Sequence, residues 1–374
     1  MQSRIWVRRL CTAAIGLLVA ALAVWLAYLA PLPQPLSSPA PQPIPAPFSH
    51  VVLIVMENQG QNRVLNNPAA PYLHQLAQTW GYDPDYYGVT HPSLPNYVAM
   101  LTGRTFGSHS DNPTQRFSGP SLVDQLEQHH ISWQAVMESL PAPGYQGNWY
   151  PPGNPARPTA MPIQALYAKK HDPFLLLRSV AESPRARAHV VPLSTFAQEL
   201  DSGQLPQFVF LVPNLCHDMH GQPNAAGASC PASRTTELIA AGDRFLATWI
   251  PRILHSKGWQ GNAVIFITWD ETDYPGGWPT PGKVRRYFLA GPEAPAVWGI
   301  PWLGRVGGGL APLLILAREG PHPLVKPVWA DHYALLKTIE AAWHLPYLGH
   351  AASAQVPTLG AFLKPSSAAG PPSR

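Results

Sequence analysis

The chain has 374 residues, 46% of them apolar and only 12% charged, with 45 prolines. An apolar share of that size excludes a largely disordered chain. A balance of 25 Lys+Arg against 21 Asp+Glu gives a net charge of +4, too small and too diffuse to indicate nucleic-acid binding.

None of the 21 acids precedes Glu57. Arg4, Arg8 and Arg9 stand before Leu10–Ala30, 21 residues without a charge, about the length that crosses a bilayer. Arginines on that flank place it in the cytoplasm and the rest of the chain outside, which predicts a single-pass anchor in the inner membrane. A signal segment that is cleaved, leaving a secreted protein, is the competing reading. Residues 31–47 hold eight prolines and read as an extended polyproline spacer or linker. Residues 48–364 then form the expected catalytic domain, and 365–374 a disordered tail. An exported domain lies in an oxidising compartment, so Cys216 and Cys230 are expected to form a disulfide, with two free thiols as the alternative.

Along the domain, His50–Met56 is an apolar run rich in β-branched residues and reads as a strand buried on both faces. Helical spacing follows at 71–80, at 95–102 (opened by Pro95 and closed by Gly103) and at 121–129. The segment 131–138 is strand-like, 208–212 is a second buried strand, and 235–254 a long amphipathic helix. Residues 262–268 make a third buried strand, 285–290 a fourth, and 330–343 a last helix. Buried strands alternating with helices define an α/β fold with a mostly parallel central sheet flanked by helices. In such sheets the ligand sits beyond the carboxyl ends of the strands.

Chemistry-bearing residues follow each of the three buried strands. Glu57 and Asn58 follow the first; Asn214, His217, Asp218 and His220 the second; Asp270, Glu271 and Asp273 the third. With the Asp331–His332 pair, six of the 21 acids fall in these clusters. Any one of them reads equally well as a turn or a cap. Three on one sheet edge point to a site. Carboxylate and amide oxygens suit a hard divalent cation, and imidazoles admit zinc or iron. Ser93 lies just ahead of an expected helix start, where backbone N–H groups and the helix dipole favour a phosphate. Its plain alternative is an N-cap. Beside a metal, its hydroxyl becomes the best candidate nucleophile.

MENQG, THPSLPNYVAMLTG, VPNLCHDMH, FITWDETD and DHYALLKTIEAAWHLPYLG, in that order over about residues 48–350, resemble the bacterial phosphoesterase family. That family includes acid phosphatases and phospholipase C enzymes of the alkaline phosphatase superfamily. The resemblance implies an alkaline-phosphatase-like sheet sandwich and a phosphoenzyme mechanism with Ser93 as nucleophile. It implies one divalent metal ion of open identity, held by Glu57, Asn58, Asp270 and Glu271. Two metals are less expected, because the third strand ends in Asp-Glu where two-zinc relatives have Asp-His. The resemblance makes His217, His220 and His332 the histidines lining the phosphate pocket, with Asp218 and Asp331 in support; His91 and Asn96 flank the nucleophile as substrate-binding candidates. The expected activity is hydrolysis of phosphate esters through phosphoserine, with His217 or His220 as the leaving-group acid. Alternatives are a phospholipase C, for which Trp278, Trp298 and Trp302 would supply an apolar entry, and a non-catalytic membrane-anchored binding protein.

Overall fold

A computed structural model describes residues 44, 47–272, 293, 307–318, 320–321 and 323–363. The expected anchor, nearly all of the spacer, the strand expected at 285–290, Asp273, the three entry tryptophans and the tail lie outside the described residues. Among the described residues, no helix is long and apolar enough to cross a membrane.

Among the described residues, twelve strands form in chain order. They are β1 (His50–Met56), β2 (Gly81–Tyr82), β3 (Tyr86–Tyr87), β4 (Trp133–Met137), β5 (Trp149–Tyr150), β6 (Tyr167–Ala168), β7 (Val190–Pro192), β8 (Phe208–Val212), β9 (Ala263–Trp269), β10 (Leu313–Ala317), β11 (Leu324–Val325) and β12 (Ala330–Asp331). Eight join one sheet in the order β11-β2-β10-β9-β1-β8-β4-β7, while β12 pairs β3 and β5 pairs β6. From β7 to β9 every neighbour is parallel, and β10 then runs antiparallel to β9. The α/β reading with a mostly parallel sheet therefore holds.

The central strands have the composition their position requires. β8 and β9 are buried at every residue, and β1 at all but His50, so each is a continuous apolar run rather than an alternating one. A contiguous buried cluster extends from Phe48 to Leu363. Truncating one of its leucines to alanine costs roughly 2–5 kcal/mol at such sites. Helices 71–79, 235–255 and 332–342 each turn an apolar face to this core.

Register fixes the working edge. Met56 pairs with Trp269, so the residues after β1 and β9 leave the sheet side by side. The Asp270 N–H donates to Met56 O, and the Glu57 N–H to Asp218 O, which ties the loop after β8 to the same point. Two boundaries differ from the sequence reading. The helix expected at Pro95 begins at Ser93, with Pro92 at its N-cap; proline suits the first turn generally, so Pro95 did not mark the first residue. The last helix begins at His332, because the Asp331 carboxylate caps it.

Candidate active site

Glu57, Asp218, Asp270 and Glu271 are all buried at the carboxyl ends of β1, β8 and β9. Ser93, 1% exposed, faces them from the start of its helix. Its Oγ donates to Glu57 Oε2 at 3.1 Å and lies 3.5 Å from Glu271 Oε1. Asn96, one turn along, fixes the approach. Its Oδ1 accepts from the Val89 and Thr90 N–H groups, and its Nδ2 donates to Thr90 O and to Glu271 Oε2. His91 Nδ1 stands 2.8 Å from Glu271 Oε2. Asn58 adopts a positive φ of 55°, which turns its backbone N–H onto Asp270 Oδ1 at 3.0 Å.

Carboxylates packed this closely resist ionisation. Burial pushes Glu57 and Asp218 up to about 7. Burial, and after it the neighbouring carboxylates, push Asp270 and Glu271 well above the usual range. Asp270 Oδ2 is buried without a hydrogen-bond partner. Burial also lowers His91 to about 4.

Four residues that the sequence reading did not select belong to this cluster or its rim. His171 Nε2 lies 2.9 Å from Glu57 Oε1 and its Nδ1 3.3 Å from Asp218 Oδ2, with Tyr97 stacked on the ring. Lys170 Nζ donates to Asp111 Oδ2 at 2.8 Å and lies 3.1 Å from His220 Nε2. Asp111 Oδ1 in turn accepts the Leu94 N–H, so one of the helix N–H groups expected to meet a phosphate is already met by a carboxylate of the chain. Glu138, the residue after β4, accepts from the Asn214 N–H and sits 2.9 Å from His217 Nδ1.

The histidines read from the sequence thus part company. His220 is in the cluster, beside Glu57 and His171; one ligand atom from each of these three lies within 4.8 Å of the other two, a possible metal-binding triad. His217 is held by Glu138, with its side chain 38% exposed. His332 has both nitrogens engaged, Nε2 with the Asp270 carbonyl at 2.6 Å and Nδ1 with the Tyr86 hydroxyl at 2.8 Å. A carbonyl only accepts, so Nε2 carries the proton and Nδ1 takes the Tyr86 one. Asp331 Oδ1 accepts from the Tyr333 and Ala334 N–H groups. Cys216 and Cys230 are joined by a disulfide across the loop that carries His217, Asp218 and His220.

A buried serine hydroxyl donating to a carboxylate, with further carboxylates and imidazoles converging at the ends of parallel strands, brings together residue types that can supply a nucleophile, proton acceptors and cation ligands. The model of the Phosphoesterase family matches residues 56–346, and the chain belongs to that family. It is 28% identical over 269 residues to the phosphate-repressible acid phosphatase of Penicillium chrysogenum, covering 71% of this chain and 52% of that protein. It is 29% identical over 313 residues to the phosphatidylinositol-3-phosphatase of Mycobacterium tuberculosis, covering 82% of this chain and 81% of that one. An acid phosphatase of Aspergillus fumigatus is 28% identical over 266 residues, 71% of this chain and 48% of that one. The chain thus spans about half the length of the two fungal relatives. A solved structure of a protein in the alkaline phosphatase superfamily from Vibrio parahaemolyticus aligns with a TM-score of 0.49 at 14% identity, covering 83% of this chain and 71% of that one.

Proposed function

We propose that the chain is a metal-dependent phosphoester hydrolase of acid phosphatase type, with an alkaline-phosphatase-like architecture, working through phosphoserine on Ser93. The observation that carries this reading is the Ser93 hydroxyl, buried and donating to Glu57 among three further buried carboxylates. Such a hydroxyl is either an inert buried group or a nucleophile with its proton acceptor in place, and an inert serine gives no reason to crowd Glu57, Asp270 and Glu271 around it.

The donor set fits one divalent cation. Asp270 Oδ2 lacks a partner, and Asp270 and Glu271 are held up by burial and mutual repulsion, a strain that a dication at those oxygens relieves. Glu57 and Asp270 would hold it, with Glu271 beside them. Asn58 contributes through its backbone N–H, which orients Asp270. When bound, such an ion lowers the serine pKa and offsets charge on the phosphoryl oxygens.

The chain's own groups carry the proton steps. Glu57 Oε2 takes the Ser93 proton as Oγ forms its bond to phosphorus, and the bond to the leaving oxygen breaks. Of the two histidines read as leaving-group acid, His220 Nε2 faces Lys170, whereas His217 is solvent-accessible with a carboxylate at Nδ1. His217 is therefore the proton donor in this reading. Water then attacks phosphoserine and gives its proton back to His217, while the bond from phosphorus to the Ser93 oxygen breaks and that oxygen recovers its proton from Glu57.

The similarity to the mycobacterial phosphatidylinositol-3-phosphatase over four-fifths of both chains favours a phosphorylated lipid head group as a second substrate reading. The apolar Leu10–Ala30 stretch with its arginine flank supports a membrane-anchored, extracytoplasmic catalytic domain, which would bring such lipids within reach. The test is a panel of soluble aryl phosphate, phosphoinositide and phosphatidylcholine on wild type and Ser93→Ala. Phosphate release by wild type and none by the variant supports the reading. Equal release by both contradicts it. Phosphocholine release in place of inorganic phosphate would reassign the chain as a phospholipase C.

A further inference from the structure

The Glu57–His171–His220 triad has the donors of a zinc or iron site. A cation of the chain's own already stands at it. His220 Nδ1 lies 2.7 Å from Gly221 O, and since a carbonyl only accepts, Nδ1 carries the ring proton. Nε2 is then the lone-pair nitrogen, the one left for a metal. That nitrogen faces Lys170 Nζ at 3.1 Å.

Lys170 is 4% exposed, so its ammonium is fixed in the interior rather than waving in solvent. Asp111 anchors the ammonium at 2.8 Å and also takes the Leu94 N–H, which pins Nζ to the first turn of the nucleophile helix.

We propose that the Lys170 ammonium occupies the second cation position of this centre, so that the chain holds one metal ion at the Glu57–Asp270 side and none at the triad. Glu57 is the shared wall: Oε2 meets Ser93, and Oε1 faces His171 on the triad side. A dication bound at His220 Nε2 would have to displace the ammonium and separate it from Asp111, a costly change where the lysine end of the pair is buried. A lysine in that place adds one fixed positive charge, which needs no metal supply and does not leave by chelation.

This inference rests on the metal reading proposed above, and the experiment separates the two. Metal content per chain is measured by elemental analysis, and zinc binding by calorimetry, on the full-length chain. Wild type is expected to bind one ion. Asp270→Asn should lose it, and His220→Ala should keep it. Lys170→Met should gain a second zinc-binding event, which His220→Ala added to that variant should abolish. Two ions on wild type, a single ion on folded Lys170→Met, or loss of the resident ion in His220→Ala but not in Asp270→Asn would overturn the inference while leaving a metal enzyme. Wild type binding no metal would overturn both. The His220→Ala and Asp270→Asn pair decides the matter even if Lys170→Met does not fold.

Discussion

Two segments of this chain, residues 214–220 after β8 and Asp331–His332 ahead of the last helix, pair aspartate with histidine, yet the fold uses them differently. Asp218 and His220 converge on Glu57 and His171. Asp331 caps a helix, and His332 is held between the Asp270 carbonyl and the Tyr86 hydroxyl. The residue types are the same. Both pairs have backbone partners; what separates them is what the remaining atoms meet, Asp218 Oδ2 facing His171 and His220 Nε2 facing Lys170, while the second His332 nitrogen meets the neutral Tyr86 hydroxyl. Held by a carbonyl and a neutral hydroxyl, the His332 ring builds structure, and it serves the site by fixing the Asp270 backbone.

The largest effect expected from this contrast is at Glu57. Glu57→Gln removes the acceptor for the Ser93 proton and one of the proposed metal-holding carboxylates. Turnover should fall on the order of 10³-fold or more, with bound metal reduced and the fold retained by circular dichroism. A variant within tenfold of wild type would place the chemistry elsewhere.

A second test uses a buried carboxylate with no chemistry, further along the helix that Asp331 caps. Burial raises Glu340 to about 8, and Oε1 accepts the Leu348 N–H. Its folded pKa exceeds the unfolded one. The stability it contributes is therefore complete below about pH 4.5 and is lost as pH rises through about 8. Glu340→Gln keeps the acceptor and removes the titration. Its melting temperature should gain on wild type from pH 5 to about pH 8 and level off above that; a difference that does not change with pH would contradict the assignment.

The smallest effect belongs to Asp331. Asp331→Ala should cost about 1 kcal/mol of stability, the usual worth of a cap, and leave KM and kcat of the folded fraction unchanged. A KM raised tenfold at unchanged stability would return Asp331 to substrate binding and dissolve the contrast.

Much of the site was legible because a strand buried on both faces must be apolar until it leaves the sheet. The first polar residues after β1, β8 and β9 therefore stand out in the sequence, as Glu57, Asp218, Asp270 and Glu271 do. His171, Lys170 and Asp111 carry no such mark. Lys169–His171 is a short 3-10 turn whose charged run reads as a solvated loop, yet all three residues are buried. Its direction is set by tertiary contact, with Tyr97 stacked on His171 and Asp111 holding Lys170. Four charged or ionisable residues in a row, Lys169 to Asp172, ending at Pro173, was the only local sign that the segment has work inside the protein. The sequence reading also passed over strand β10, the buried apolar run Leu313–Ala317 that pairs antiparallel with β9.

The most direct measurement is of the covalent intermediate. Wild-type protein mixed with an aryl phosphate and quenched in acid should carry one phosphoryl group on the peptide that contains Ser93, seen by mass spectrometry and absent from Ser93→Ala. Turnover with no phosphorylated peptide under rapid quench, or a phosphoryl group on another residue, would contradict the account.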